Sequence, residues 1–247
     1  MRDSHPRRLD LRPGLPAFLL GFLAASLQIY LLREFAAAFT GNELIFGLVL
    51  GSWLLWGGIG SLVRPGRPEA GALARLARLY GAAIVLFYAA LTLLRFSHKL
   101  LGLLPSETAG LAPAFGFALV LAGLLSFPLG RAFVLNARLA DGDVAKTYVL
   151  ESAGAAAAGL AVQLLLVPRL SNWQGAAMAG GAAALMALLA LRPRRAAAPL
   201  AAALVLSAGL ALADRPALEA AWRPFELVDA EDSPYGQLVV VRAADQV

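Results

Sequence analysis

The stretch QIYLLREFAAAFTGNELIFGLVLGSWLLWGGIGS, residues 28–61, connects two apolar runs through a short polar segment. Each run approaches the roughly 20 residues with which a helix crosses about 30 Å of hydrocarbon. The polar segment contains an Arg–Glu pair at residues 33–34 and an Asn–Glu pair at residues 42–43. Because Gly41 stands between these pairs and tends to break a helix, the stretch predicts two membrane helices joined by a tight, charged connection.

The composition of the whole chain is also that of a membrane protein. Of its 247 residues, 60% are hydrophobic and 15% are charged, whereas soluble domains are about half apolar and a quarter charged. The absence of Cys excludes disulfides, thiolate metal sites and cysteine nucleophiles, and two His residues do not favour a metal site. The net charge of +5 is spread between the apolar runs, which argues against nucleic acid binding. No set of catalytic side chains is discernible.

Seven apolar runs predict an all-α polytopic membrane helical bundle of about seven transmembrane helices. The bundle is expected over residues 15–213, after a basic segment at 1–14. A lipid bilayer, that of the cell membrane, is the expected partner, and a homo-oligomer is left open. The runs are residues 15–32, 44–63, 79–96, 111–129, 149–167, 174–191 and 197–213.

Lys and Arg are distributed unevenly between the loops on the two sides of the membrane. The N-terminal segment and every second loop after it carry 14 of them, and the alternate loops carry four. Because positive residues are enriched on the cytoplasmic side, the N-terminus is predicted to be cytoplasmic. Seven crossings would then place residues 214–247 outside.

The C-terminal segment, residues 214–247, contains FELVDAEDSPYGQLVVVR at residues 225–242. Short strands are predicted at residues 225–228 and 237–241, with turn-forming residues between them. The segment therefore predicts a short β-hairpin. Two strands alone are only marginally stable in water, so the hairpin is expected to need further sheet.

A polar cluster is predicted where the first two helices meet. If the first helix continues to about residue 39, Arg33 and Glu34 lie in its last turns, and Arg33 can neutralise Glu34 or Glu43. Asn42 is expected to cap the second helix, with Glu43 in its first turn, where the helix dipole favours an anion. The cluster is either an interfacial tether or a site for an amine or ion.

Two further polar residues are predicted inside the bundle. Gln28 lies one heptad after Gly21, and together they define an inward face. Glu151 can extend to the membrane surface, pair with Lys146 or Arg131, or bind a cation. Small residues at helix-packing intervals predict close contact between helices. These are Gly47 and Gly51, Gly57 and Ser61, the heptad series Gly116, Gly123 and Gly130, and Gly154 with Ala158.

Residues 21–61 resemble the start of the membrane-integrated spermidine synthase-like proteins, in which a multi-span region precedes a polyamine aminopropyltransferase domain. Looser matches are SFPLG at residues 126–130 and YVLESAGAAAAG at 148–159, and DSPYGQLVVVR at 232–242 resembles the first hairpin of the transferase. The matching residues of the first block are Gln28, Leu32, Arg33, Glu34, Gly41, Asn42, Glu43, Leu44, Trp53 and the run from Gly57 to Gly60.

The resemblance implies a membrane-anchoring region followed by the start of a transferase domain. Such transferases bind decarboxylated S-adenosylmethionine and a diamine between a small β-sheet and a Rossmann-like domain, and an acidic residue deprotonates the amine. The nucleotide loop and the catalytic acid are expected beyond Val247, so the chain alone is expected to be inactive and to need a separate or downstream transferase domain. Tyr235 and Gln237 fall in the part of the family pattern near the ligand.

Two questions stay open at this point. A nucleotide-dependent domain belongs in the cytoplasm, whereas seven crossings put the hairpin outside, so the last run does not cross, the domain acts outside, or the count is wrong by one. The alternative function is a non-catalytic transporter or sensor in which Glu34, Glu43 and Glu151 attract a cationic molecule such as a polyamine. A purely structural subunit is the third interpretation.

Overall fold

The structure is a computed structural model that describes residues 14–39, 41, 43–63, 71–193, 196–233 and 236–242. It is an all-α bundle, 78% helical, with a small two-stranded hairpin, as the sequence predicts. The helices are α1 (Leu15–Ala38), α2 (Glu43–Leu62), α3 (Ala72–Arg95), α4 (Ser97–Leu100), α5 (Leu111–Leu139), α6 (Val144–Ala161, continued by a π-helical segment, Val162–Leu166), α7 (Asn172–Leu191) and α8 (Ala198–Trp222). The strands are β1 (Glu226–Asp232) and β2 (Gln237–Arg242).

Seven of these helices, all except the single turn α4, are long and apolar enough to cross a membrane. Several extend beyond the apolar runs into polar residues. α1 continues past residue 32 to Ala38, so Arg33 and Glu34 are helical, as expected. α8 continues past residue 213 and through Pro216 to Trp222.

Three helices form the centre of the bundle. About half of each of α1, α3 and α7 is buried, against about a fifth of α2, α6 and α8. α2 packs on α5, α6 on α1, and α8 on α3 and α7. The C-terminal ends of α1 and α3 meet the N-terminal end of α7, where Arg95 and Asn172 both contact Glu34.

Glycines set the closest helix contacts. A Cβ added at Gly21 would overlap the carbonyl oxygen of Glu151, and one added at Gly154 would overlap that of Phe18. These two glycines let α1 and α6 approach at backbone distance, as small residues do in membrane bundles. The predicted helix contacts at Gly47, Gly51 and Gly116 are wrong within this chain, because all three face open space.

Pro128 does not end α5, which runs on to Leu139. A proline removes one backbone hydrogen bond and usually bends or breaks a helix. Here α2 packs against α5 on both sides of the proline, since Gly60 lies on the backbone of Phe127 and Gly130 lies on the backbone of Gly57. The contact between α2 and α5 therefore spans the position of the proline.

The hairpin pairs β1 and β2 antiparallel, with Glu226 opposite Arg242 and an irregularity between Leu227 and Asp229. Both predicted strands are confirmed, and the first is longer than expected. Alternate residues of the two strands are half-buried. Ser233, which follows β1, lies on the end of the bundle where α1 ends, because Arg33 donates to its carbonyl.

Candidate functional site

Glu34 is buried where α1, α3 and α7 meet, with 3% of its surface exposed. Its Oε1 accepts from Arg95 Nε at 2.7 Å and from Trp173 Nε1 at 3.2 Å. Its Oε2 accepts from Asn172 Nδ2 at 2.5 Å and from Arg95 Nη2 at 3.3 Å. A carboxylate has about four lone-pair positions, so the hydrogen-bonding capacity of Glu34 is filled by protein groups.

Arg95 is the cation that balances Glu34, and it also binds Asp214 of α8. Its Nη1 lies 3.1 Å from Asp214 Oδ1, and its side chain is 4% exposed. The guanidinium stacks 4.3 Å from the ring centroid of Trp173, in a cation–π contact. Glu34, Arg95, Trp173 and Asp214, which we call the buried ion cluster, thus join α1, α3, α7 and α8.

The predicted neutralisation of Glu34 or Glu43 by Arg33 is wrong. Neighbouring residues on a helix point in different directions, so Glu34 turns into the bundle while Arg33 turns towards the start of α7 and the hairpin. Arg33 Nε donates to Asn172 Oδ1 at 3.1 Å, and Arg33 Nη2 donates to the carbonyl of Ser233 at 3.0 Å.

Asp232 holds the end of β1 against the N-terminus of α7. Its Oδ2 accepts from the backbone N–H of Asn172 at 2.9 Å, and its Oδ1 accepts from Gln237 Nε2 at 3.2 Å. Free N–H groups at a helix N-terminus favour such an anion. Burial raises the pKa of Asp232, against the lowering effect of the hydrogen bond from Asn172. The hairpin is therefore attached to the bundle by polar contacts of Asp232 and Ser233, at the end of β1.

A cavity of about 210 Å³ lies between α1, the start of α2, the π-helical segment and the hairpin. We call it the interface cavity. Glu34 reaches it with Arg33, and Asp232 and Gln237 form the side nearest the hairpin. Its remaining lining is mainly apolar. The lining includes Ile29, Leu32, Arg33, Phe46, Gln163, Asp232 and Gln237.

The other predicted polar residues do not join this arrangement. Gln28 is half-buried on α1 and Glu43 is exposed at the start of α2, where it lies in the first turn as expected. Glu151 is half-buried, and neither Lys146 nor Arg131 forms a salt bridge with it. Asn42 and Tyr235, with their predicted roles as cap and ligand contact, lie outside the described residues.

The sequence did not single out five members of the site: Arg95, Asn172, Trp173, Asp214 and Asp232. A signal for four of them was present. When successive helices cross the membrane in alternating directions, the ends of odd-numbered runs and the starts of even-numbered runs lie on the same side. Arg95, Asn172, Trp173 and Asp214 all stand at such positions. Within the described residues, no three His, Asp or Glu side chains come together in a group that could hold a metal ion.

A scan against protein-family models found no match to the chain, and neither did searches of curated proteins and of solved structures.

Proposed function

We propose that the chain is the membrane-anchoring region of a spermidine synthase-like protein, and that its hairpin carries an aminopropyltransferase domain on the end of the bundle. That domain would transfer the aminopropyl group of decarboxylated S-adenosylmethionine to a diamine. The observation that carries the proposal is the attachment of the hairpin to the bundle by Asp232 and Arg33. A flexible tail would have no need of such contacts.

The outer face of the hairpin supports the proposal. Leu238 is 66% exposed, Val240 44% and Val228 40%, although each belongs to a strand. A two-stranded sheet is marginal alone, and apolar side chains on its open face favour cover by another domain. β1 already packs against α8, so we expect the covering domain on the face turned away from the bundle.

The test is whether aminopropyltransferase activity co-purifies with the chain after the membrane is solubilised. Membranes from cells carrying the intact gene are solubilised, the chain is isolated by a tag near its N-terminus, and aminopropyl transfer to putrescine is measured with labelled decarboxylated S-adenosylmethionine. The combined change Leu238→Asp and Val240→Asp should lower the accompanying activity about tenfold or more, because it places charges in an apolar contact.

Glu226→Gln is the control, since it changes a charge on the same hairpin in an exposed ion pair with Arg242. It should leave the accompanying activity unchanged. Absence of aminopropyl transfer with the unaltered chain would contradict the proposal. Spermidine formed by the purified chain without any further protein would contradict the expectation that the catalytic groups lie outside it.

The alternative of a transporter or sensor for a cationic molecule stays a prediction. It relied on Glu34, Glu43 and Glu151 acting together. The hydrogen-bonding capacity of Glu34 is used by Arg95, Asn172 and Trp173, and the other two carboxylates lie elsewhere. The anchoring proposal therefore uses more of the described contacts.

A further inference from the structure

The interface cavity contains two opposite charges that are only partly satisfied by the protein. Arg33 uses two of the five N–H donors of its guanidinium, for Asn172 and Ser233, and forms no salt bridge with a described carboxylate. Asp232 uses two of about four lone-pair positions, for Asn172 and Gln237, and likewise has no salt bridge among the described residues. The positive charges of Arg95 and Arg33 act on Asp232 without direct contact. The unused N–H donors of Arg33 and the unused lone pairs of Asp232 can therefore both bind a ligand that carries an anionic and a cationic group.

The cavity also has an apolar side that continues into the membrane. Ile29 and Leu32 of α1 and Phe46 of α2 form this side. Ile29 lies nine residues before Ala38, the end of α1, which is about 13 Å along the helix. The cavity therefore extends from the level where the helices end towards the hydrocarbon, with its charges at the outer end.

The π-helical segment forms the rim of the cavity. Gln163 lies in this segment and lines the cavity, while Leu164 and Leu165 beside it are 61% and 57% exposed. π-helical turns are rare and are often found at functional sites. Here the segment presents an amide to the cavity and two leucines to the outer surface of the bundle.

We propose that the interface cavity binds the head group of an aminophospholipid, a zwitterion with a phosphate and a primary ammonium, as in phosphatidylethanolamine. The phosphate binds the free N–H groups of Arg33, and the ammonium donates to the free lone pairs of Asp232. The volume of about 210 Å³ is below that of a site for a whole drug-sized molecule. The cavity thus holds the head group, and the acyl chains lie along Phe46, Leu164 and Leu165.

Native mass spectrometry of the delipidated full chain with equal amounts of three lipids tests this proposal. Phosphatidylethanolamine should be retained about tenfold better than phosphatidylglycerol, which lacks the ammonium. Phosphatidylcholine, whose quaternary ammonium has no N–H donor, should be intermediate. Equal retention of all three lipids would overturn the proposal.

Variants separate the site from general lipid binding. Asp232→Asn keeps an oxygen for the N–H of Asn172 but removes the charge, and retention of phosphatidylethanolamine should fall about tenfold, to the level of phosphatidylglycerol. Ile29→Trp fills the apolar side without touching the hairpin contacts, and should lower retention of the same lipid. Glu226→Gln, with the same charge change on the same hairpin, should have no effect. Unchanged retention in both cavity variants would overturn the proposal.

Competition with free phosphoethanolamine distinguishes the two sources of this head group, a membrane lipid and a soluble phosphoethanolamine. If it displaces bound phosphatidylethanolamine, the cavity recognises the zwitterion itself, and a soluble ligand can occupy it. If only the lipid competes, the ligand is a membrane lipid and its chains contribute. Competition by neither compound would overturn the proposal.

Discussion

Glu34 illustrates how a charge is tolerated at the end of a membrane helix. The two oxygens of its carboxylate accept four hydrogen bonds, from Arg95, Asn172 and Trp173, and Arg95 is balanced further by Asp214. A buried ion pair contributes little relative to apolar packing, but removing one partner is costly because the other charge stays buried. The buried ion cluster therefore makes stability sensitive to each of its members.

Glu34→Gln should lower the free energy of unfolding by about 3 kcal/mol, because Arg95 would keep only Asp214 as an anionic partner. The measurement is denaturant unfolding of the purified chain in detergent micelles. Glu219→Gln is the matched control, since Glu219 forms an exposed salt bridge with Arg215. It should change the same free energy by less than about 1 kcal/mol. Equal effects of the two changes would contradict the assigned role of Glu34.

For single residues, the sequence predicts which side chains are costly to bury in the membrane but not which residues pair with them. Glu34 stands out as a carboxylate in an apolar run, and its place in the last turns of α1 follows from the helix length. Its partner Arg95 is 61 residues away, and only the packing of α1 on α3 makes them neighbours. The adjacent Arg33 suggested itself as the partner, but the helical rotation between consecutive residues separates them.

Pairs of helices are held by glycines whose roles the sequence indicates only in part. Gly21 and Gly154 bring α1 and α6 to backbone contact, and Gly60 and Gly130 do the same for α2 and α5. Gly47 and Gly51 have the same spacing as a packing motif, yet they face open space. The spacing of small residues identifies a smooth helix face, whereas the order of helices in the bundle decides whether that face is covered.

Gly154→Ala should lower the free energy of unfolding by about 1–3 kcal/mol, because the added methyl group meets the backbone of Phe18 and forces the helices apart. The same change at Gly51, where the space is open, should leave it within about 1 kcal/mol of the unaltered chain. Unfolding in detergent measures both. A Gly51→Ala effect as large as that of Gly154→Ala would show that the contact between α1 and α6 is not the cause.

The molecule as a whole is a helical bundle with a β-hairpin attached to one end. Seven apolar helices follow one another, and the hairpin lies at the end where α1 and α3 finish. The number and order of the helices follow from the apolar runs, because hydrocarbon accepts little else than helices. The position of the hairpin does not follow from them, since it depends on side-chain contacts between residues far apart in the chain.

The orientation of the bundle can be tested with single cysteines, because the chain contains none. The Lys and Arg distribution predicts that Glu226→Cys, at an exposed position of the hairpin, reacts with a membrane-impermeant maleimide in intact cells. Lys146→Cys, at the opposite end on α6, should react only after the membrane is permeabilised. The reverse result for both positions would place the hairpin in the cytoplasm and would overturn the predicted orientation.

The buried ion cluster also has a consequence for biosynthesis. Glu34 is inserted with the first helix, but Asn172 and Trp173 arrive with α7 and Asp214 with α8. Arg95, which balances its charge, arrives earlier with α3. The first helix therefore gains its complete set of hydrogen-bond partners only when α7 has been made, and a shorter chain carries a carboxylate whose lone pairs are only partly used.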